Sequence, residues 1–328
     1  VKLSGASGKT AADVSKVFTA LGSDANRKRI CVTAGDGLTP CYVEIKEWST
    51  ATQTAFLWVR VPRIDPGLDT HLYLYYDPLH AEMTEYVGDT GETAAQRVWE
   101  NGYAGVWHKP SGSTLLDSSS NGNHGTIYGA TEVDGPLGRC LSLDGVDDWI
   151  DLGNDPSLQN FSAKTLTIWI RGMAGYTGSY RKVYDGSHWA SPYGDQIFLR
   201  NNQNRYEIYL RNTSGTSIAA GGSFEPGGDL IFGYTWDGTT RTAFANGVSG
   251  ASAGFAGTLA CSSRNVTIGR ALDGYTYCDG LFPYIEISRV ARSPAWIAAM
   301  NLSLRDELIV YSDPGAPLTL AAYVDAYE

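Results

Sequence analysis

Methionine, histidine and long apolar runs are scarce in this sequence. Its 328 residues include 3 Met and 5 His, and 18% are charged. No apolar stretch approaches the roughly 18 residues that a membrane helix needs. The sequence also has no Cys-x-x-Cys motif and no paired Cys/His cluster. These absences exclude membrane insertion by an apolar helix and the usual thiolate zinc sites.

Tyrosine, tryptophan and glycine are abundant instead, with 20 Tyr, 9 Trp and 38 Gly. Aromatic residues favour strands and glycine favours turns, so the composition predicts an all-β protein rather than a helical bundle. The formal net charge is −10. A chain of this charge repels a polyanion, so we expect no nucleic-acid partner.

Short strand-like runs recur at regular spacing in the second part of the chain, with Gly, Asn and Asp between them. This spacing predicts the antiparallel strands of a β-sandwich. A short helix is predicted at 294–300, where Ser293 can cap the helix and Pro294 takes its first position. The predicted strands are 141–143, 149–152, 166–171, 196–200, 206–211, 230–236, 242–245, 266–269 and 284–288.

The first part of the chain predicts a smaller β-domain. Alternating runs at 29–34 and 41–46 flank a Gly- and Pro-containing turn and predict a β-hairpin. Two further runs, 56–61 and 71–76, show the same alternation. A helix is predicted over 11–21, because Val14, Val17, Phe18 and Leu21 share one face of a helix there.

The predicted domain boundaries follow from these patterns. We expect an N-terminal β-sandwich-like domain at 1–80 and a linker at 81–102, where the apolar period weakens and acidic residues collect. The large β-domain is expected at 103–312 and a C-terminal extension at 313–328.

Several segments of the second domain resemble the concanavalin A-like, laminin-G-like jelly-roll family. The resemblance runs in family order over 103–312, and it implies a jelly-roll sandwich. The matching segments are VWH at 106–108, LDSSSNGNHGT at 116–126, GRCLSLDGVDDWIDLG at 138–153, LTIWI at 166–170 and IEISRVARS at 285–293.

The first 80 residues resemble an uncharacterised β-domain that often precedes such a module. Proteins with this pairing are typically large prokaryotic surface proteins or phage structural proteins, which implies a location outside the cell, on its surface or on a virion. In that family another strand usually precedes the segment matched by residues 1–4, so the first domain is expected to lack its opening strand. Either residues before Val1 supply this strand, or residues 318–327 of another copy do so in a homo-oligomer formed by strand exchange.

The resemblance implies glycan recognition or adhesion to a cell-surface polymer. Sugar rings stack on exposed aromatic faces, and one Gly/Ser/Asp-rich segment is rich in such residues. The alternative interpretation is that these side chains cover sheet edges. The candidate ligand-binding residues are Tyr176, Tyr180, Tyr184, Trp189 and Tyr193, with Tyr275 and Tyr277 as a second group.

No enzymatic activity is expected. Glucan hydrolases of the concanavalin A-like fold carry their acids in the pattern Glu-x-Asp-x-x-Glu, and the sequence has no such run. A purely structural role, as a phage decoration, tail or fibre protein or a surface filament, remains the main alternative to glycan binding. A glycoside hydrolase or its accessory module is a further alternative.

No cofactor is required by the sequence, and calcium is the metal that it could hold. Calcium prefers several carboxylate, amide and carbonyl oxygens, which Asp117, Asn123, Asp144 and Asp147 can supply. Related modules often place an acidic pair just before the last strand, but here the aligned residues are 282–285, Phe-Pro-Tyr-Ile. The predicted calcium site is therefore structural and lacks two of the usual acids.

The five cysteines leave two interpretations open. They are either five small buried thiols or, in an oxidising compartment, two disulfides and a spare thiol. The predicted bridges are Cys31–Cys41, across the expected hairpin, and Cys261–Cys278, around the strand at 266–269. Cys140 is then expected to be buried as a small apolar residue.

Overall fold

The chain forms two compact β-units. The computed structural model describes residues 1–64, 68–173, 180–186, 194–200, 204–212, 215–259, 264–271, 274, 276–312 and 320–325. The first unit comprises residues 1–101 and 298–328, and the second comprises residues 102–297. The all-β prediction is confirmed. None of the helices in these described ranges is long and apolar enough to cross a membrane.

The helices are few and short. They are α1 (Lys16–Leu21), α2 (Thr93–Gln96) and α3 (Pro294–Leu304), with 3₁₀ turns at Asp24–Asn26, Arg97–Trp99 and Pro156–Leu158. The first strands are β1 (Lys2–Leu3), β2 (Ile30–Thr33), β3 (Val43–Ser49), β4 (Thr54–Val59), β5 (Asp69–Tyr76) and β6 (Val87–Asp89). The following strands are β7 (Tyr103–Ser111), β8 (Thr114–Asp117), β9 (Gly125–Tyr128), β10 (Thr131–Gly135), β11 (Gly138–Asp144), β12 (Trp149–Gly153), β13 (Lys164–Arg171), β14 (Arg181–Asp185), β15 (Asp195–Arg200) and β16 (Arg205–Asn212). The last are β17 (Gly215–Ser223), β18 (Asp229–Trp236), β19 (Thr240–Ala245), β20 (Val248–Gly254), β21 (Val266–Ile268), β22 (Asp279–Ser288), β23 (Ile309–Ser312) and β24 (Leu320–Asp325).

The first unit contains two four-stranded sheets. Their strand orders are β1-β4-β3-β6 and β2-β5-β24-β23. Helix α1 buries Val17, Phe18 and Leu21 in the core of this unit. This helix is shorter than predicted, because the chain before it forms a turn in which Ser7 bridges Ala12.

The predicted hairpin between 29–34 and 41–46 forms only at its turn, where Thr33 and Pro40 make an antiparallel bridge. Strand β2 pairs with β5, whereas β3 pairs with β4 and β6, so the two runs belong to different sheets. Where the runs meet, the Cys41 backbone N–H donates to the Val32 carbonyl at 2.7 Å. The antiparallel bridge between Thr33 and Pro40 places Val32, and not Cys31, opposite Cys41. Both are free thiols in the structure.

The other cysteines are buried where the structure describes them. Cys140 is buried, as predicted. Cys278 is a free thiol, and burial raises its pKa to about 12. Its predicted partner, Cys261, lies outside the described residues.

Residues 81–101, expected to be a linker, belong to the first unit. Strand β6 runs parallel to β3, and Trp99 donates from Nε1 to Glu44 Oε2 at 2.5 Å. Glu44 is buried and also accepts a hydrogen bond from Thr90. Residues 81–101 therefore supply two hydrogen-bond donors to the buried carboxylate of Glu44 in β3.

The C-terminal strand also belongs to the first unit. Strand β24 lies between β5 and β23 and is antiparallel to both. Strand β1 pairs with β4 in the other sheet, so β24 does not lie beside residues 1–4. Residues 318–327 were expected to supply a missing strand beside residues 1–4 of another copy. The part of this segment that forms β24 pairs instead with β5 and β23 of its own chain.

The second unit is a β-sandwich, and all nine predicted strands of this part are confirmed, with bounds that differ by a few residues. Helix α3 is also confirmed, and at its start Ser293 Oγ accepts a hydrogen bond from the Trp296 backbone N–H at 3.1 Å.

The strands of the second unit are hydrogen-bonded to their neighbours in the order β17-β16-β15-β14-β21-β12-β9-β8-β7-β22-β13-β18-β19-β20. In addition, β11 pairs with β22 and β10 pairs with β11. We call β17 to β8 in this order the front sheet and β7 to β20 the back sheet.

One apolar core joins the front and back sheets. Ile168 of the back sheet and Ile150, Ile197 and Ile268 of the front sheet are fully buried in it. Because side chains alternate along a strand, the residues beside these lie on the outer face of the sandwich. The outer face of the front sheet therefore carries residues of β9, β12, β14, β15 and β16.

Candidate functional site

The predicted aromatic segment is not one surface in the described residues. Tyr180 is 38% exposed, and its ring meets Phe198 edge-on, with 5.9 Å between centroids. Tyr184 is completely buried, so it is not part of a surface platform. Tyr176, Trp189 and Tyr193 lie outside the described residues.

A β-bulge explains the position of Tyr184. The register of β14 against β15 shifts between Lys182 and Tyr184, so the simple alternation of faces is interrupted there. Val183 and Tyr184 both enter the core, while Lys182 lies beside Phe198 on the outer face. The sequence showed the aromatic residue but not the bulge that turns it inward.

The buried Tyr184 belongs to a polar cluster inside the sandwich. Lys164 Nζ donates to Asp195 Oδ2 at 2.7 Å and to the Tyr184 hydroxyl at 2.9 Å. The Tyr234 hydroxyl donates to the same Asp195 carboxylate. Lys164 and Tyr234 belong to the back sheet and Asp195 and Tyr184 to the front sheet, so the cluster joins the two sheets.

A second group of side chains forms a stack on the outer face of the front sheet. Tyr128 of β9 lies directly opposite Trp149 of β12, and their rings are parallel within 6° with centroids 4.3 Å apart. The Arg270 guanidinium lies 3.8 Å from the centroid of Trp149. Both contacts are too close to share one face of the indole, so Trp149 is held between Arg270 and Tyr128. We call Tyr128, Trp149 and Arg270 the stacked patch.

The stacked patch presents an aromatic face to solvent. Tyr128 is 44% exposed and is supported from behind by Trp149. Tyr277, of the second predicted aromatic group, forms a backbone bridge with Arg270 beside this patch. The alternation Trp-Ile-Asp-Leu at 149–152 could have shown that Trp149 points outward, but only the pairing of β9 with β12 reveals its partner.

An acidic loop lies next to the stacked patch in the sequence and in the sheet. Asp144, Asp147 and Asp148 each place a carboxylate oxygen within 4.8 Å of the others. A hydrogen bond from the Val146 backbone N–H lowers the pKa of Asp144, whereas burial raises the pKa of Asp148. A Cβ at Gly129 would collide with Oδ1 of Asp148, so glycine lets this carboxylate approach the strand of Tyr128.

The other two predicted calcium ligands serve a different purpose. Asp117 is buried, and it accepts hydrogen bonds from the backbone N–H groups of Val106, Ser119 and Asn123 and from the Ser119 hydroxyl. Asn123 donates its side-chain amide to the Ala104 carbonyl at 2.8 Å. Burial raises the pKa of Asp117. These two residues hold a turn together, and the structure brings Asp144 and Asp147 together with Asp148 instead.

Basic side chains lie further along the same outer face. Lys182 Nζ lies 3.5 Å from the centroid of Phe198, and the Arg200 guanidinium lies 4.7 Å from that of Tyr180. The Arg211 guanidinium lies 5.9 Å from the Tyr209 ring. Cations over aromatic rings are attracted to the negative ring face, so the rings hold these cations in place. The outer face of the front sheet therefore carries aromatic and basic side chains together, with Lys182 buried among them.

Comparison with known proteins agrees with this architecture. Residues 144–298 match the model of the Concanavalin A-like lectin/glucanases superfamily. The binding domain of Paraclostridial Mosquitocidal Protein 1 is similar, with a TM-score of 0.50 and 14% identity over 65% of this chain and 56% of that chain. The binding domain of Botulinum Neurotoxin serotype G is also similar, with a TM-score of 0.51 and 12% identity over 61% of this chain and 51% of that chain. This chain thus spans about half the length of those two chains. No curated protein matches its sequence.

The family match agrees with what the structure shows independently. The matched residues include β12 to β22, which form most of the front and back sheets around the shared core. At these identities the similarity to the two binding domains concerns the fold alone. Residues 144–298 therefore match the concanavalin A-like superfamily in sequence, and the second unit has a β-sandwich fold like that of the two binding domains.

Proposed function

We propose that the second unit binds glycans on the outer face of its front sheet, with Tyr128 as the stacking platform. The observation that carries this proposal is the stacked patch. Tyr128 is 44% exposed and lies parallel to Trp149, so a flat apolar surface is already formed before any ligand arrives. A preformed surface costs less conformational entropy on binding than a mobile one.

The surroundings of Tyr128 suit a sugar. The apolar face of a pyranose packs on an aromatic ring, while its hydroxyl groups need hydrogen-bond partners at the edge of that ring. The exposed carboxylates of Asp144 and Asp147 lie in the neighbouring loop and can accept such hydrogen bonds. The Arg270 guanidinium supports the other face of Trp149 and so helps to hold the stack in place.

The proposal is one of binding without catalysis, outside a cell or on the surface of a virion. It is supported by the absence from the sequence of the Glu-x-Asp-x-x-Glu pattern of related glucan hydrolases. The location is supported by the resemblance of the two-domain arrangement to surface and phage structural proteins. Incubation of the purified protein with laminarin-like glucans, followed by measurement of new reducing ends, would detect hydrolysis and refute this part.

Calcium remains a proposal, for the carboxylates of Asp144, Asp147 and Asp148. They offer three oxygens in one loop, the ligand type that calcium prefers. Bound calcium would raise the melting temperature of the wild-type protein and leave that of Asp147→Asn unchanged. Equal melting temperatures of the wild type in calcium and in a chelator would contradict the proposal.

The binding proposal is tested by a glycan array followed by calorimetry on the best oligosaccharide. Tyr128→Ala removes the platform, and we expect the affinity to fall by about tenfold, because one aromatic contact is worth about 1.4 kcal/mol. Tyr128→Phe keeps the ring and should keep most of the affinity.

The first unit supplies a matched control. There Tyr86 stacks on Tyr42 with 5.4 Å between centroids, and the Arg97 guanidinium lies 5.3 Å from the Tyr42 ring. Tyr86→Ala disturbs the same kind of stack in the other unit and should leave the affinity unchanged. A wild-type protein that binds nothing on a broad array, or equal losses in Tyr128→Ala and Tyr86→Ala, would refute the proposal.

A further inference from the structure

Strand β20 is the last strand of the back sheet, and among the described residues it pairs with β19 alone. In an antiparallel pair, successive residues direct their backbone N–H and C=O groups to opposite sides of the strand. The Phe255 N–H donates to the Thr239 carbonyl on the β19 side. The backbone groups of Gly254 and Ser252 therefore point away from β19, where the described part of the chain gives them no partner strand.

This strand buries very little. Its burial pattern over seven residues has one half-buried position, and the others are exposed, including Val248 at 71%. Ordering a strand costs backbone entropy, which buried apolar side chains usually offset. The turn at Asn246 and Gly247, both with positive φ, holds β19 and β20 together as a hairpin. The hairpin thus keeps β20 extended beyond the edge of the core.

The sequence of β20 lacks the residues that usually protect an exposed strand edge. Natural edge strands carry charged residues or proline, or are interrupted by a bulge. Strand β20 reads Val-Ser-Gly-Ala-Ser-Ala-Gly, with no charged residue and no proline. It has one bulge, where Gly250 and Ala251 lie opposite Ala243, and residues 252–254 keep a regular register. Strand β10, which pairs only with β11 among the described strands, carries Glu132 and Asp134 instead.

A second β20 has the chemistry that fits this edge. Only an extended backbone can pair with a row of backbone N–H and C=O groups. The net charge of the chain is −10, so two copies repel each other on average, but two β20 strands carry no charge to oppose their contact. Small Ala, Ser and Gly side chains also let two backbones approach closely.

The register of such a pair follows from the outward backbone groups. In an antiparallel arrangement Ser252 of one copy exchanges backbone hydrogen bonds with Gly254 of the second copy, and Gly254 of the first does so with Ser252 of the second. This register uses every outward group of the regular segment. It places Ala253 directly opposite Ala253 of the second copy.

We infer that two copies of this chain associate through β20, paired antiparallel about a twofold axis at Ala253. The back sheets of the two copies then form one continuous sheet. A contact of the same strand with itself closes after two copies, so the assembly is a dimer. The inference goes beyond the proposed function and does not depend on glycan binding.

Sedimentation velocity of the full chain at about 5 to 500 µM tests the dimer. We expect a monomer–dimer equilibrium with a dissociation constant on the order of 50 µM, because the paired segment is short. Ala253→Lys places two lysines opposite each other, so the dissociation constant should rise by about fivefold. Because Ala253 is exposed, the melting temperature should stay that of the wild type.

Charge complementation tests the register. Ala253→Asp should weaken the dimer as Ala253→Lys does, because two carboxylates then face each other. An equimolar mixture of the two variants should dimerise at least as well as the wild type, since a lysine then faces an aspartate. Thr131→Lys is the matched control, an exposed position on β10 where the added charge should leave the dissociation constant unchanged.

Three results would overturn the inference. The first is a wild-type protein that stays monomeric at every concentration. The second is a series of species larger than a dimer, which would indicate open pairing of β20 with a different strand, such as the uncharged β17. The third is a dimer that neither variant weakens or that their mixture does not restore, which would place the contact elsewhere. None of these results bears on glycan binding by the stacked patch.

Discussion

Two lysines of the second unit have similar neighbours, but Lys164 lies between the two sheets and Lys182 lies on the outer face of the front sheet. Lys164 lies inside, 2.7 Å from Asp195, and both side chains are completely buried. Lys182 lies outside, 3.5 Å from Asp185, with each side chain 4% exposed. Each lysine also lies over a phenylalanine ring, Phe161 for Lys164 and Phe198 for Lys182.

The difference lies in what each pair connects. Lys164 and Asp195 come from the back and front sheets, and two tyrosine hydroxyls complete their hydrogen bonds. Lys182 and Asp185 are three residues apart on one strand, and Gln196 Nε2 donates to Asp185 at 3.0 Å. The inner pair therefore bears on the association of the sheets, whereas the outer pair links two residues of one strand.

The largest effect is expected for Lys164→Met. The substitution leaves the Asp195 carboxylate buried without its cation, and breaking a buried pair in this way costs about 3–5 kcal/mol. Urea unfolding followed by tryptophan fluorescence would measure the loss of unfolding free energy.

The double variant Lys164→Met/Asp195→Leu is the control for this interpretation. It removes both charges and leaves two tyrosine hydroxyls short of a partner, so its loss should be smaller, about 1–3 kcal/mol. A double variant less stable than Lys164→Met would show that the charges themselves are not the cause.

A smaller effect is expected for Lys182→Met. The pair is longer and local, and Asp185 keeps its hydrogen bond from Gln196, so we expect a loss of about 1–2 kcal/mol in unfolding free energy. Equal destabilisation by the two lysine variants would remove the distinction between the inner and outer pairs.

The smallest effect on stability is expected at Glu286 of β22, a buried carboxylate of the back sheet. Glu286 accepts hydrogen bonds from the hydroxyl groups of Tyr284 at 2.7 Å and Thr167 at 2.9 Å. Burial raises the pKa of Glu286. The folded state therefore binds this proton more tightly than the unfolded state, so the contribution of Glu286 to stability is fullest below its unfolded pKa and is lost as the pH rises through the raised value.

Glu286→Gln removes this titration. As the pH rises above the usual pKa of a carboxyl group, the free energy of unfolding should therefore fall less in the variant than in the wild type. Urea midpoints measured from pH 4 to pH 8 would show it, with Lys182→Met as a variant that keeps the wild-type slope. Parallel curves for the wild type and Glu286→Gln would contradict the raised pKa.

Local sequence patterns predicted the strands of the second unit well, because alternation of apolar residues is a local property. The run at 166–171 became β13 and the run at 284–288 became part of β22, and these two strands pair in the back sheet. Their pairing is not local, but the family resemblance implied a jelly roll in which distant strands meet. The fold class was therefore predictable from the sequence.

The candidate site was only partly predictable. Asp144 and Asp147 were expected to act together, and the structure places them in one loop. Tyr128 and Trp149 were missed, because their contact depends on the antiparallel register of β9 and β12. Tyr184 was misplaced, because a bulge in β14 turns it into the core.

In the first unit too, the sequence predicted the strands but not which strands pair. Its strands were predicted, but β2 pairs with β5 rather than with the neighbouring β3, and the terminal strand β24 enters the sheet between β5 and β23. Backbone hydrogen bonds between strands are the same for every sequence, so alternation specifies a strand without specifying its partner.

The sequence by itself determined that this protein is built of β-strands, that its second unit resembles a laminin-G-like sandwich and that the chain is rich in aromatic residues. Tertiary structure decided which of those residues face solvent and which charges meet. Lys164 and Asp195, 31 residues apart, become an ion pair, and Arg200 and Arg205 become opposed cations. The physical reason is that burial and charge are properties of neighbours in space, which strand pairing and bulges assign only once the sheets have formed.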